Sequence, residues 1–216
     1  MLCCGEIKIK EVDTLLTFPK STVVGKIMPK EAFYKKLTIG TDLKEKFVTD
    51  IKKIVWQNKL TSATLNIDKG KSITEILVLY IELKKQELDY KIIETIARQN
   101  THKVLFVLLY ENLAQLAIFH NKLYKSDWQG SEHLEPNIKG LNLDDVWTGF
   151  VSQISNVPIE RGQDLDERLA KQEQIARLKK DIEKLEKQAR GEKQPKRKFE
   201  MVQELQEMKK SLEGLM

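Results

Sequence analysis

Cysteine and histidine are scarce in this chain, and their scarcity excludes several kinds of site. The two cysteines are the neighbours Cys3 and Cys4, and the histidines His102, His120 and His133 stand far apart in the sequence. Neighbouring cysteines rarely bridge each other, and a structural zinc site needs cysteine and histidine ligands at short spacings. The sequence therefore predicts neither a disulfide framework nor a metal site built on these residues.

Long apolar runs are also missing. The longest strongly apolar stretch, residues 104–109, is far shorter than the ~20 residues that cross a membrane. Near the first residue, Glu6 and Lys8 interrupt any apolar segment of the length that a signal peptide requires. We therefore expect a cytoplasmic protein without a membrane segment.

The chain also lacks a strong charge of one sign. Its formal net charge is +5 over 216 residues, although 32% of the residues are charged. So mild a basicity permits contact with nucleic acid but does not by itself indicate it. An apolar content of 41% is sufficient for a folded core, and the length suits one core with an appendage.

What the sequence does contain is a pair of apolar seams in its last quarter. On each side of a break at residues 191–195, apolar residues recur at alternating steps of three and four. This spacing is typical of coiled-coil helices, whose narrow seam has to be buried against another helix. The first seam comprises Ile175, Leu178, Ile182, Leu185 and Ala189, and the second comprises Met201, Leu205, Met208, Leu212 and Leu215.

The two seams predict an α-helical hairpin, similar to a coiled coil, over residues 159–216. A bend of about five residues permits antiparallel helices that cover one side of each other's seam. The same residues are candidates for contact with a protein partner or with a second copy of the chain. The candidate partner-binding residues are Ile175, Leu178, Ile182, Leu185, Leu205, Met208 and Leu212.

Residues 41–158 are predicted to form an α+β body with a mixed or mainly antiparallel sheet and flanking helices. Strands are expected at 64–67, 73–84, 103–110 and 113–120, because these stretches alternate or are continuously apolar. A turn at 68–71 is expected to join the first two strands, since it contains Gly70. Residues 1–40 are expected to be an irregular segment packed on the body.

Helices of the body are predicted from their apolar faces and caps. The first is expected to start at Thr41 or Asp42 and to end near Trp56, with the apolar residues Leu43, Phe47, Ile51, Ile54 and Val55 on one face. A short helix is expected after Asp89, and another is expected to start at Asn142 or Leu143.

One motif of the body is compatible with catalysis. Glu82 and Lys84 form a Glu-x-Lys pair at the end of a predicted strand, and metal-dependent nucleases of the restriction-enzyme class carry such a pair. There the carboxylates hold Mg²⁺ and the lysine helps to activate water. Asp68 and Glu45 are the further candidate ligands. The alternative interpretation is an exposed strand end, and outside the nuclease hypothesis no cofactor is expected.

A second motif is basic. Lys193, Lys196, Arg197 and Lys198 crowd the bend between the two C-terminal helices. Such a cluster could bind a phosphate backbone, and its affinity would then fall steeply with salt. It could equally be a solvated turn whose cations complement the carboxyl end of the preceding helix.

Ordered short stretches from residue 18 onward carry a family resemblance. They are Phe-Pro-Lys-Ser-Thr (18–22), Ile-Met-Pro-Lys (27–30), Phe-Tyr (33–34), Trp-Gln-Asn-Lys-Leu (56–60), Thr-Leu-Asn-Ile (64–67), Ile-Glu-Leu-Lys (81–84), Ser-Asp-Trp (126–128), Gly-Leu-Asn-Leu-Asp (140–144) and Glu-Lys-Gln (192–194) before Arg-Lys-Phe-Glu (197–200). Together they resemble the bacterial and archaeal family known as domain of unknown function 4391.

This resemblance implies a biological setting rather than a mechanism. Members of the family tend to be encoded beside helicases and DNA methyltransferases, in loci that resemble restriction or phage-defence systems. With the helical seams, this setting favours a non-catalytic accessory subunit that docks to a helicase or methyltransferase, or dimerises, through its C-terminal helices. A Mg²⁺-dependent nuclease is the alternative hypothesis, and direct contact with DNA is a third.

Overall fold

The computed structural model describes residues 18–36, 39–160 and 162–215 of the chain. Cys3 and Cys4 lie outside the described residues. The chain divides into two units, Met1–Pro158 and Ile159–Met216. We call the first the body and the second the hairpin unit.

The body contains one mixed, mostly antiparallel sheet, which confirms the predicted fold class. Among the described strands, only β3 and β4 pair in parallel, and a helix, α4 (Lys91–Arg98), connects them. Across the sheet the strands are β1 (Val23–Met28), β2 (Ile51–Leu60), β3 (Ile76–Leu83), β4 (Lys103–Tyr110), β5 (Leu113–Phe119) and β6 (Leu123–Lys125), and the short β7 (Gln129–Gly130) also pairs with β5.

The body's helices supply apolar side chains to the sheet. Phe33 of α1 (Lys30–Lys36), Phe47 of α2 (Thr41–Asp50) and Ile92 of α4 share one buried cluster with residues of β2, β3 and β4. The longest helix of the body, α5 (Leu143–Ser155), contacts β5 and β6 and buries Trp147. Its amino end is capped as predicted, since Asn142 Oδ1 accepts a hydrogen bond from Asp145 N at 3.0 Å.

The predicted helix from Thr41 to Trp56 is wrong in its second half. The helix α2 ends at Asp50, and Ile51 begins β2, which lies between β1 and β3. The apolar residues Ile51, Ile54 and Val55 satisfy both a helical face and a strand that is buried on both sides. Their β-branched side chains favour a strand, and the hydrogen bonds of β2 with β1 and with β3 stabilise the strand over the helix.

The predicted strand at residues 64–67 is also wrong, because a capping box converts its first half into a helical turn. In α3 (Ser62–Leu65), Thr64 N donates to Thr61 Oγ1 at 3.1 Å and Thr61 N donates to Thr64 Oγ1 at 2.9 Å. Asn66 then ends the turn with φ of +53°. No hairpin forms at 68–71, since the antiparallel neighbours of β3 come from β2.

The N-terminal segment is more regular than predicted. Its described part contains α1 and β1, an edge strand of the sheet. The sheet therefore includes residues before position 41, where the body was expected to begin. Gly25, at φ of +64°, lies where the register of β1 against β2 shifts. Such a bulge is a common feature of edge strands.

The hairpin unit contains two long helices, as predicted. They are α6 (Leu165–Gly191) and α7 (Pro195–Leu215), which pack against each other. Asp164 caps α6 by accepting a hydrogen bond from Glu167 N at 2.9 Å. Pro195 is the first residue of α7, where its missing N–H costs nothing. Among the described residues, no helix is both long and apolar enough to cross a membrane.

Candidate functional site

The predicted seams of the hairpin unit face each other. Ile182 and Ala189 of α6 and Leu205 of α7 are buried together. The residues packed around them are Leu178, Leu185, Met201, Met208 and Leu212. Ile175 is buried as well, with only 7% of its surface exposed. Apart from Ile175, the candidate partner-binding residues therefore pack against one another within the chain.

Charged pairs line the outside of the hairpin. Lys209 Nζ of α7 lies 2.7 Å from Glu186 Oε1 of α6, and this pair joins the two helices. The hydrogen bond from Lys209 lowers the pKa of Glu186 below its usual value. Along α6, Arg177 and Lys187 pair with the glutamates four residues before them, both at 2.7 Å. Exposed pairs of this kind contribute little to stability.

The amino end of α7 carries an apolar step that the seams do not use. Phe199 is 63% exposed and Val202, one helical turn later, is 40% exposed. Residues three apart lie on the same side of a helix, so the two side chains form one outward surface. We call Phe199 and Val202 the outward step. Sequence reasoning missed it because neither residue belongs to the heptad pattern.

The basic bend lies beside the outward step. Lys193 is in the connection between the helices, and Lys196, Arg197 and Lys198 are in the first turn of α7. All four residues are exposed. The amino end of a helix carries a partial positive charge, which adds to the field of these cations and favours an anion. Nucleic-acid contact at the bend stays a prediction.

The residues of the nuclease hypothesis have other partners or separate positions. Glu82 Oε1 lies 2.8 Å from Lys52 Nζ, and Lys84 Nζ donates to the carbonyl oxygen of Val48 at 2.8 Å. Asp68 is exposed in the loop before β3, where its backbone forms an isolated β-bridge with that of Asn142. Glu45 is exposed on α2. Among the described residues, no three histidines, cysteines or carboxylates are grouped so that they could hold a metal ion.

A buried acid that sequence reasoning missed lies beside the Glu-x-Lys strand end. Asp50 ends α2, and its carbonyl oxygen accepts from Lys84 N at 2.8 Å. Its side chain is 4% exposed, and Oδ1 lies 2.9 Å from both Lys85 Nζ and Thr49 Oγ1. Burial acts to raise the pKa of Asp50, but these hydrogen bonds outweigh it and hold the pKa below its usual value. Asp50 therefore ties α2 to the end of β3 as a carboxylate.

A second acid that the sequence left unassigned is Asp144, in the first turn of α5. Its Oδ1 accepts from Ser72 Oγ at 2.7 Å and from Ile73 N at 2.9 Å, and its Oδ2 accepts from Ser72 N at 3.2 Å. Lys71 N also donates to Oδ2. Burial acts to raise the pKa of Asp144, but the bonds from residues 71–73 outweigh it and lower the pKa. Asp144 thus fixes the loop that leads into β3.

Comparison with protein families now places the chain. Residues 16–212 match the family described as Domain of unknown function (DUF4391). The chain belongs to this family. The match covers both the sheet and the hairpin, so the resemblance that the short stretches indicated is confirmed. The comparisons found no similar curated protein and no similar solved structure.

Several of the stretches that carry the family resemblance hold the body together. Asn58 of the stretch 56–60 is buried, and its Nδ2 donates to Thr22 Oγ1 of the stretch 18–22 at 2.9 Å. Ser126 Oγ, in the stretch 126–128, accepts from Leu116 N at 3.0 Å. Asp144, in the stretch 140–144, makes the loop contacts given above. These stretches therefore carry structural hydrogen bonds, and those of Asn58 and Asp144 join distant parts of the chain.

Proposed function

We propose that this DUF4391 protein is a non-catalytic accessory subunit of a DNA-modification, restriction or phage-defence system. Its hairpin unit docks to a helicase or DNA methyltransferase of the same system. The observation that carries the proposal is the exposed pair Phe199 and Val202 on a helix whose own seam is already covered.

The apolar residues of the hairpin form a buried seam and, apart from it, the exposed outward step. Leu205 and Ile182 are buried in the seam, so α6 and α7 hold each other without needing a partner. The seam does not cover Phe199 and Val202, so their apolar surface stays in contact with water. Burying aromatic side chains with flanking cations is typical of the centre of a protein interface. Arg197 and Lys198 supply such cations in the same turn.

The test compares two double variants of α7 that add the same charge. Phe199→Asp with Val202→Asp removes the outward step, whereas Gln203→Asp with Gln206→Asp alters two exposed polar positions of the same helix. The proteins are co-expressed with the helicase and the methyltransferase of the locus, and complexes are isolated by affinity purification. We expect the first variant to lose the partner and the second to retain it.

Several outcomes decide the docking proposal. Retention of the partner by the Phe199 and Val202 variant, or an equal loss in the glutamine control, would contradict docking at the outward step. Light scattering on the purified chain checks the alternative of dimerisation. A dimer that the first variant alone dissociates would make a second copy the partner instead of a helicase or methyltransferase.

Contact with DNA at the basic bend is a separate part of the proposal. The observation that favours it is the position of Lys196, Arg197 and Lys198 at the amino end of α7. We expect the logarithm of the affinity for duplex DNA to fall with the logarithm of the salt concentration. Changing these residues and Lys193 to alanine should flatten that slope, because fewer phosphate charges are then neutralised. An unchanged slope would exclude the bend.

Nuclease activity remains the competing prediction, although in the described part of the chain no three histidines, cysteines or carboxylates are grouped to hold a metal ion. Lysines occupy the carboxylate oxygens of Glu82 and Asp50 at 2.8 and 2.9 Å. The expected result is that the purified chain, alone or with its locus partners, does not cleave DNA in Mg²⁺ or Mn²⁺. Cleavage that Glu82→Gln abolishes would overturn the accessory role.

A further inference from the structure

A cavity of about 280 Å³ opens at one edge of the sheet of the body. It lies where the parallel strands β3 and β4 begin and where β5 ends. The carboxyl-terminal turn of α4 and the loops that enter β3 and β4 form its walls. Its polar lining includes Thr74, Thr101 and the nitrogen-bearing side chains of Arg98, His102, Lys103 and His120. We call it the strand-end cavity.

The two permanent cations of the cavity are held by aromatic rings. Arg98 Cζ lies 4.4 Å from the ring centroid of Phe119, and Lys103 Nζ lies 5.4 Å from a ring centroid of Trp147. Among the residues that the structure describes, neither cation has a carboxylate oxygen within 4.0 Å. An aromatic face positions a cation without neutralising it, so the N–H groups keep their charge for a ligand.

The one carboxylate in the described lining does not cancel this charge. Glu75 pairs with Lys59, whose Nζ lies 2.6 Å from Glu75 Oε2, and Lys59 is outside the cavity. The side chain of Glu75 is 15% exposed, so the pair is partly shielded from solvent. The cavity therefore keeps the charge of Arg98 and Lys103, which favours an anion.

Two histidines also line the cavity. His120 Nδ1 accepts a hydrogen bond from Trp147 Nε1 at 3.4 Å. His102 is exposed in the loop just before β4, and its backbone N donates to Asn100 Oδ1 at 3.0 Å. This bond shapes the loop that carries His102 beside Lys103.

We infer that the strand-end cavity binds a phosphate group, carried either by a free nucleotide or by the 5′ end of a nucleic-acid strand. A guanidinium offers paired N–H groups to phosphate oxygens, and an ammonium at a second position completes the charge balance. A terminal phosphate has the negative charge and the several acceptor oxygens that the cations of Arg98 and Lys103 can share. The cavity of about 280 Å³ is slightly smaller than the sites of drug-sized ligands, which start at about 300 Å³, and this size suits a phosphate with its sugar.

The experiment uses the full-length chain and four probes. They are inorganic phosphate, AMP, a 5′-phosphorylated oligonucleotide and the same oligonucleotide with a 5′-hydroxyl. Binding is followed by calorimetry, and amide chemical shifts locate it. We expect phosphate-bearing probes to shift the amide signals of residues 101–103. Arg98→Gln with Lys103→Gln should weaken their binding by at least about tenfold, since two charged hydrogen-bonding groups are lost.

A matched control removes the same charge elsewhere on the body. Lys69→Gln with Lys139→Gln alters two exposed lysines outside the cavity, and its affinities should stay within about twofold. Thermal melts confirm that each variant is folded. If the double variant of Arg98 and Lys103 does not fold, the single variant Lys103→Gln is used instead, because it keeps the contact between Arg98 and Phe119.

The outcomes separate the two sources of the phosphate group. Tighter binding of AMP than of inorganic phosphate supports a nucleotide, and tighter binding of the phosphorylated than of the hydroxyl-ended strand supports a nucleic-acid end. The inference is overturned if no phosphate-bearing probe binds. It is also overturned if the two oligonucleotides bind with equal affinity while inorganic phosphate and AMP do not bind. The same holds if the control variant of Lys69 and Lys139 weakens binding as much as the variant of Arg98 and Lys103. None of these outcomes depends on the hairpin unit.

Discussion

The body and the hairpin unit are stabilised in different ways. In the body, polar side chains join segments that are far apart in the sequence, as Asp144 does with Ile73 across 71 positions. In the hairpin, the buried contacts are apolar, and the pairs between Glu173 and Arg177 or between Glu183 and Lys187 are four residues apart. The comparison teaches that the body adds specific polar links between distant segments to its apolar core, whereas the buried contacts of the hairpin are those of its apolar seam.

The largest expected effect comes from placing a charge in the seam. Leu205 is buried between Ile182 and Ala189, so Leu205→Asp forces a carboxylate into an apolar contact. Removal of a buried leucine side chain costs about 2–5 kcal/mol, and the unpaired charge adds to that cost. We expect the hairpin helices to separate and unfold while the body stays folded. Circular dichroism should show a loss of helix.

The matched control for the seam is Gln206→Asp, which places the same charge on the next, exposed residue of α7. It should leave the helical signal almost unchanged. A Leu205→Asp protein with full helix content would show that the hairpin does not rely on its seam. Loss of the body's thermal transition in that variant would instead show that the two units fold as one.

A smaller effect is expected from the acid that fixes the loop before β3. Asp144→Asn replaces an acceptor of several hydrogen bonds with a group that cannot accept them all. Hydrogen bonds to a charged group contribute about 1.5–3 kcal/mol each, so we expect a loss of about 2–3 kcal/mol from the free energy of unfolding of the body. Urea denaturation measures it.

The same variant predicts a pH dependence. Because the folded pKa of Asp144 is lowered, its contribution is complete above the unfolded pKa of about 4 and is lost as the pH falls through the folded pKa. The stability difference between the natural chain and Asp144→Asn should therefore shrink below pH ~4. Asp127→Asn, at an exposed aspartate, is the control for the loss of one carboxylate from the surface. A constant difference for Asp144→Asn down to pH ~2 would contradict a lowered pKa.

The hairpin could be predicted from sequence because its information is local. Each seam repeats every three or four residues, so Ile182 and Leu205 indicate burial without knowledge of any distant segment. The broad class of the body was also accessible, since the continuous apolar run of β4 indicates a central strand. In both cases a short window of sequence contains the pattern that burial requires.

The errors in the body arise where distant segments decide the structure. Ile51, Ile54 and Val55 fit a helix as well as a strand, and only pairing with β1 and β3 selects the strand. Asp50 and Asp144 likewise show no local signature, because their partners come from other loops. A Thr-x-x-Thr capping box at Thr61 was the one local signal that could have corrected the strand expected at 64–67.

A fourth prediction concerns the buried hydrogen bond between Asn58 of β2 and Thr22, which lies in the turn before β1. Thr22→Val removes the acceptor of Asn58 Nδ2, which then stays buried without that partner. Such a group costs about 1–3 kcal/mol. We expect the loss to be largely recovered when Asn58→Leu is added, because both polar groups are then gone. Denaturation of the two single variants and the double variant gives the coupling, and strictly additive losses would mean that the two side chains do not interact.

The smallest effect is expected from the ion pair that joins α6 and α7. Lys209 is 52% exposed, and its pair with Glu186 is open to water and salt. The gain from such a pair is offset by solvation and by the cost of ordering two long side chains. We expect Glu186→Gln to change the melting temperature of the hairpin less than Thr22→Val changes that of the body, and to change it still less in high salt. A larger, salt-resistant change would mean that charge rather than the seam sets the hairpin's stability, and the contrast between the two units would then disappear.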